Sequence, residues 1–272
     1  MNREINIEEL KQIQLELLET LANYCDDHGL TYYLAYGTLL GAVRHKGYIP
    51  WDDDIDIMMP RGDYETLIAE FNKSIQRSSI SVVSFEIDSE YYLSFAKLIN
   101  TSTVIEETVN SDYSIGVYVD IFPLDKLGND YGKAEKIVKR ACLYNGILTI
   151  KNLTFRKGIA WYKNAILAAG RLIALPISRG KLIRMINKLG RNFDDNSQSI
   201  YLGDLTQVQP GSFCIVLESE WFSETGKAMF EGRGYNVPTG YDALLKKQYG
   251  DYMQLPPDSE RVTHHEFRAW YK

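Results

Sequence analysis

The chain has 272 residues and a net charge of −6, with 45% hydrophobic and 12% aromatic residues. That length buries a full core and the composition excludes a disordered chain, while nineteen tyrosines suit a folded protein that handles sugars, bases or lipid headgroups. Cys25, Cys142 and Cys214 are odd in number and far apart, which argues against a zinc site or a disulfide framework and for a reducing cytoplasm, with all three cysteines structural.

The N-terminus runs into an acidic amphipathic segment with no basic-then-apolar leader, so secretion is not expected. Leu10, Ile13, Leu17, Leu18, Leu21 and Tyr24 recur at three- and four-residue steps, predicting a helix that ends near Gly29. A strand is expected from Thr31 to Tyr36, delivering Gly37 and Thr38 to the head of an apolar run that ends in Val43-Arg44. A glycine turn entering a helix presents backbone N–H groups to an anion such as phosphate, a weak signal when it stands alone.

Next comes Trp51-Asp52-Asp53-Asp54-Ile55-Asp56-Ile57-Met58-Met59. In an extended strand Asp54 and Asp56 project from one face and Ile55 and Ile57 from the other. The plain alternative is a solvated acidic turn before Pro60. The apolar neighbours argue against it, because a carboxylate in a buried strand needs a cation or a partner. A calcium loop would place Asp52, Asp54 and Asp56 at its first, third and fifth positions. It fails at the sixth, where Ile57 replaces glycine, and at the twelfth, where Asp63 stands for glutamate.

Tyr64, Leu67, Ile68 and Phe71 predict another amphipathic helix. Residues 80–87, 93–99 and 103–107 read as strands from their β-branched and aromatic content. Lys97 lies in the second of these, where a lysine on an apolar strand either serves an anion or simply extends its head to water. The run from Ser114 to Asp125 is a strongly apolar strand with Asp120 in its middle, the third carboxylate expected to be buried. The alternative for Asp120 is a turn cap before Pro123.

From about 131 to 195 the pattern is helical: Ile137 to Leu148, Ile159 to Leu175 broken by Pro176, and Lys181 to Leu189. Between Lys136 and Arg191 stand thirteen Lys or Arg and no Asp or Glu, against 17 basic and 36 acidic residues in the rest of the chain. Such asymmetry calls for an anionic partner, either an anionic membrane surface or the acidic remainder of the protein. The middle segment is too interrupted by charge to span a bilayer. The C-terminal part carries a short helix from Tyr241 to Tyr249 and closes on Leu255-Pro256-Pro257 and a segment containing His264 and His265.

Gly37-Thr38, Asp54-Ile55-Asp56 and Asp120 together resemble the nucleotidyltransferase superfamily of DNA polymerase beta. The likeness narrows at the Gly-Thr-Leu-Leu-Gly-Ala-Val-Arg run of 37–44, at Ile49-Pro50-Trp51-Asp52-Asp53-Asp54-Ile55-Asp56, at Asp120-Ile121-Phe122-Pro123-Leu124-Asp125, at Tyr249-Gly250-Asp251-Tyr252 and at His264-His265. In these runs the chain resembles the LicD family, whose eukaryotic relatives are the fukutins. The resemblance covers most of the chain and is weakest in the basic helical middle.

It implies an α+β fold, a polymerase-beta-like mixed sheet flanked by helices, forming one catalytic domain over 1–272 with a basic helical subdomain at about 131–195. It further implies transfer of phosphocholine from CDP-choline to a sugar hydroxyl of bacterial teichoic acid, lipopolysaccharide or capsule, with release of CMP. Asp54, Asp56 and Asp120 would hold two magnesium ions, with manganese as a substitute. Gly37, Thr38, Arg44, Lys97 and one of His264 and His265 would contact the diphosphate, and Trp51 would face the trimethylammonium. The alternatives are a relative that uses CDP-ribitol or CDP-glycerol, an enzyme that moves the nucleotide itself, and a non-catalytic binding module. The expected setting is cytoplasmic, extending to the inner face of the plasma membrane beside a polyprenyl-linked acceptor, and no nucleic-acid partner is expected.

Overall fold

A computed structural model describes the chain except residues 1–2, 76–78, 107–108, 110, 156–160, 194–197, 209–214 and 262–267, and except the side chains of residues 161 and 260. Its first half comprises β1 (Glu4–Ile5), α1 (Ile7–His28), β2 (Tyr33–Leu34), α2 (Tyr36–Arg44), β3 (Asp56–Pro60), α3 (Arg61–Ser74), β4 (Ile80–Val83), β5 (Ala96–Asn100), β6 (Thr103–Glu106) and β7 (Tyr118–Gly128). Helices α4 (Tyr131–Asn152), α5 (Trp161–Ala174) and α6 (Arg179–Gly190) follow. Then come β8 (Tyr201–Gly203), β9 (Leu217–Glu218), β10 (Thr225–Phe230), β11 (Arg233–Pro238), α7 (Tyr241–Tyr249) and β12 (Arg268–Tyr271). The fold is mixed α+β.

Helix α1 starts at a capping box: the Asn6 side chain accepts from the Glu9 N–H and the Glu9 carboxylate accepts from the Asn6 N–H. It stops at Gly29, whose φ of +67° closes the last turn. The six apolar residues that predict the helix are all buried, and α1 packs against β5 and β7. Beside it lies α3, with the Tyr24 and Phe71 rings 4.7 Å apart between the two helices.

The main sheet runs β2-β3-β7-β5-β4, and β8 and β9 extend it from the far end of β7. Among the described residues only β3 and β7 pair in parallel. The expected strand 31–36 shortens to Tyr33–Leu34, because Tyr36 already opens α2. The expected strand 93–99 begins at Ala96 and that at 80–87 ends at Val83. Strand β12 pairs with both β1 and β6, tying the two ends of the chain together.

Hairpin β10–β11 turns through Glu231 and Gly232, with φ of +47° and +83°, the pair of positive values that a two-residue hairpin loop requires. Its tip braces the loop after α2. The Glu231 N–H donates to the Lys46 carbonyl, and the Glu231 carboxylate accepts from the Tyr48 N–H. That loop leads directly into Trp51-Asp52-Asp53-Asp54.

A buried ion pair fastens the sheet to the helical part. Arg61, at the head of α3, gives both Nε and Nη2 to the Asp125 carboxylate at 2.6 and 3.0 Å, and Nη1 to Asn187 on α6. Gly190 makes room for it, since a Cβ there would meet the Asp125 carboxylate at 2.3 Å. Arg61 therefore has a structural partner. Helices α4 and α6 share a small core of Leu148, Leu182, Ile183 and Ile186. Among the described residues, no helix is long and apolar enough to cross a membrane.

Candidate active site

Strands β3 and β7 are in register at Asp56 and Asp120, and β5 meets β7 with Lys97 opposite Asp120. Directly opposite residues on neighbouring strands share a face, so Asp56, Asp120 and Lys97 form one row across three strands. On the reverse face the next row, Ile57, Ile121 and Ala96, is wholly buried. Lys97 Nζ lies 2.5 Å from Asp120 Oδ1 and 3.2 Å from the centre of the Tyr118 ring. Its charge is thus committed to the row itself.

Asp54 stands two residues before β3, outside the extended segment expected to carry it, yet close enough to Asp56 for its charge to act there. It also belongs to a second group: Asp52, Asp53 and Asp54 each place a carboxylate oxygen within 4.8 Å of the others. Asp52 went unrecognised as a site residue in the sequence. The signal for it is Gly37, where a Cβ would come 2.5 Å from Asp52 Oδ2, so the missing side chain lets a carboxylate approach the N-terminus of α2.

Thr38 is buried, and its Oγ1 accepts from the Asp56 N–H at 2.9 Å, fixing the start of β3 to α2. Thr38→Val leaves that buried N–H without its acceptor and should cost about 1–3 kcal/mol of stability. Thr38→Ser should cost far less; equal denaturant midpoints for the two variants would contradict this reading.

The pKa of Asp56 is raised well above the ordinary carboxylate value, first by burial and then by the charges of Asp54, Asp120 and Asp52, which Lys97 only partly opposes. Such a set of oxygens, crowded and short of positive charge, fits a hard divalent cation. The site opens on a cavity of about 1080 Å³ lined by Gly37, Arg44, Trp51, Asp52, Asp54 and Asp56 on one side and by Tyr249, Asp251 and Tyr252 on the other. Burial and then the charges of Asp56, Asp52 and Asp54 push the Tyr249 phenol up. Tyr249 therefore faces the same carboxylates.

Arg44 lines this cavity while its Nη1 donates to the Tyr252 carbonyl at 2.7 Å, so it also anchors the C-terminal wall. Trp51 carries the Arg261 guanidinium 5.6 Å from its ring centre and meets the His45 ring edge-on. An arginine thus stands over the ring assigned to the trimethylammonium. His264 and His265 lie outside the described residues.

Behind the site Tyr36 adopts φ +44°, a strained value for a bulky residue, and its hydroxyl donates to Asp204 Oδ2 at 2.7 Å. Asp204 also accepts from the N–H and hydroxyl of Thr206. Burial raises its pKa to about 6 despite these bonds. With the folded value above the unfolded one, the contribution of Asp204 to stability is complete below about pH 4 and is lost as pH rises to about 6. The loss amounts to about 3 kcal/mol. Asp204→Asn should remove that much of the fall between pH 4 and 6, measured by denaturant unfolding; parallel wild-type and variant curves would contradict it.

Residues 29–144 match the family described as LicD/FKTN/FKRP, nucleotidyltransferase domain. Over these residues the chain is similar to a LicD-family domain. The match takes in α2, the Asp52–Asp56 run, Lys97 and Asp120. The chain is also 26% identical over 266 residues, 97% of both proteins, to the lipopolysaccharide cholinephosphotransferase LicD of Haemophilus influenzae. Shorter similarities run to uncharacterised rickettsial proteins. One of Rickettsia typhi is 33% identical over 29% of this chain and 28% of its own length, and one of Rickettsia prowazekii is 45% identical over 15% and 16%.

Proposed function

We propose that this protein is an enzyme, a phosphotransferase of the nucleotidyltransferase fold. In this reading it moves phosphocholine from CDP-choline to a hydroxyl of lipopolysaccharide or a related surface glycan and releases CMP. The observation that carries it is the buried row of Asp56, Asp120 and Lys97, which reaches, through Asp56 with Asp54 and Asp52, the wall of a cavity roomy enough for a nucleotide. The choice of phosphocholine rests on the Haemophilus relative, which aligns from end to end. Residues 1–272 act as one catalytic domain in this account, with the helices of 131–195 as an elaboration.

Asp54, Asp56 and Asp120 would hold magnesium, with two ions expected and manganese able to substitute. When bound, the metal polarises the phosphoryl oxygens and offsets their charge. Backbone N–H groups at the N-terminus of α2 receive the diphosphate, which takes the place of the Asp52 carboxylate beside Gly37, and Arg44 adds positive charge at the cavity wall. The acceptor hydroxyl forms a new bond to the choline-bearing phosphorus while the bond to the CMP oxygen breaks. Asp120, oriented by Lys97, takes the hydroxyl proton.

The test is a donor panel. The protein is incubated with magnesium, lipopolysaccharide lacking phosphocholine, and CDP-choline, CDP-ribitol or CDP-glycerol in turn. Acceptor-dependent CMP from CDP-choline alone supports the proposal, and CMP from either other donor alone reassigns the alcohol.

A further inference from the structure

Helix α5 is amphipathic the wrong way round for a globular core. Tyr162, Ala165, Ile166, Ala169, Leu172 and Ile173 follow the three- and four-residue steps of a single helical face, and all six are exposed. Ile166 and Leu172 are 67% exposed and Ile173 is 82% exposed. Among the described side chains of α5 only Ala174 is buried. The apolar stripe therefore looks into solvent.

The opposite side holds the helix in place. Gly170 brings α5 close to α4, where a Cβ would meet Ile150 Cγ2 at 3.2 Å. Arg171 donates to the Ile150 and Leu153 carbonyls at the end of α4. An arginine that caps a neighbouring helix fixes which face turns outward.

Next to the exposed stripe, beside Leu175, lies a cavity of about 490 Å³ whose charged lining includes Lys151, Arg171, Arg179 and a single acid, Glu90. Ser178 and Gly180, at the N-terminus of α6, complete the polar wall, so backbone N–H groups and three cations share one hollow. Burial and then the nearby charge of Arg179 lower the pKa of the Lys151 ammonium. Exposed Lys163 and Lys181 flank the same region. Two features that a solvated surface would not combine occur side by side: a stripe of exposed isoleucine and leucine, and a cationic hollow in a segment without acidic residues.

We propose that this face, the apolar stripe of α5 with the basic cavity between α4, α5 and α6, docks on a bilayer rich in anionic lipid. The stripe enters the headgroup and acyl boundary while lipid phosphates meet Lys151, Arg171 and Arg179. The inference does not depend on the proposed activity. Arg191, at the end of the basic segment, pairs with Glu65 and Glu86 of the acidic remainder, whereas the α5 stripe stays exposed.

The test is flotation of the full chain with vesicles of equimolar phosphatidylglycerol and phosphatidylcholine, compared with vesicles of phosphatidylcholine alone. The protein should float with the anionic vesicles only, and less as salt rises. Replacing Lys151, Lys163 and Lys181 together by Gln should weaken partitioning roughly 100-fold. Ile166→Gln with Ile173→Gln should weaken it at least about tenfold. Both variants alter side chains outside the buried core, so melting curves equal to wild type show that the fold is intact. Protein that stays unbound at low salt overturns the proposal, as does binding that neither variant weakens. A dimer in sedimentation that the isoleucine variant splits, without flotation, assigns the face to a second copy of the chain and also overturns it.

Discussion

Under the proposed reaction, Asp54→Asn and Asp56→Asn should each lower phosphocholine transfer by about 1,000-fold or more, because each removes an oxygen assigned to charge stabilisation worth several kcal/mol in the transition state. The same Asp56→Asn change raises the melting temperature of the protein in chelator at neutral pH. The sign follows from the raised pKa of Asp56, whose charged form burial and then Asp54, Asp120 and Asp52 disfavour in the fold but not in the unfolded chain. Its drag on stability therefore begins as pH rises past the ordinary carboxylate value. Magnesium should stabilise the wild type and add much less to the variant. Asp120→Asn should behave differently, since it strands the buried Lys97 ammonium and costs about 3 kcal/mol or more even without metal. Melts of the three variants with and without magnesium check all of this; a stabilised Asp120→Asn would contradict the ion pair.

The second large effect lies away from the chemistry. Asp125→Asn leaves the Arg61 guanidinium buried without its carboxylate, and Arg61→Leu leaves the carboxylate without its cation. Either should cost about 3–5 kcal/mol. Replacing both with apolar residues should recover much of that loss, because the desolvation cost of the remaining charge disappears. Denaturant unfolding of the two singles and the double measures the coupling; additive effects would show that the pair contributes little. The Asp-Ile-Phe-Pro-Leu-Asp run is thus split by role, with Asp120 facing the site and Asp125 holding α3 and α6 to the sheet.

Much of this was legible in the sequence wherever periodicity and caps are strong. The steps of Leu10 to Tyr24 and the stop at Gly29 mark α1, and Tyr64, Leu67, Ile68 and Phe71 mark α3. The helices of the basic middle follow their apolar spacing, and α7 spans Tyr241–Tyr249 as expected. Short strands were not legible, because β1, β8, β9 and β12 have two to four residues each and exist through partners far along the chain. The β10–β11 hairpin was missed because its turn is Glu-Gly rather than Asn-Gly or Asp-Gly.

The carboxylates at 54, 56 and 120 were conspicuous because they interrupt apolar runs. What periodicity could not give was register. That Asp56, Asp120 and Lys97 share one row depends on the parallel pairing of β3 with β7, about 60 residues apart in sequence, and on the antiparallel pairing of β5 with β7. The place of Asp52 against α2 and that of Asp204 behind the site are not legible for a related reason, since each is set by a distant residue, Gly37 in one case and Tyr36 in the other.

In the proposed reaction phosphocholine, and not the nucleotide, moves, and the Asp56 row moves it. CDP-choline labelled separately in choline and in cytidine, incubated with magnesium and a lipopolysaccharide acceptor, tests both parts in one reaction. The account predicts choline label on the acceptor, an equal amount of cytidine label released as CMP, and neither with Asp56→Asn. Cytidine label on the acceptor, or undiminished transfer by Asp56→Asn, would contradict it.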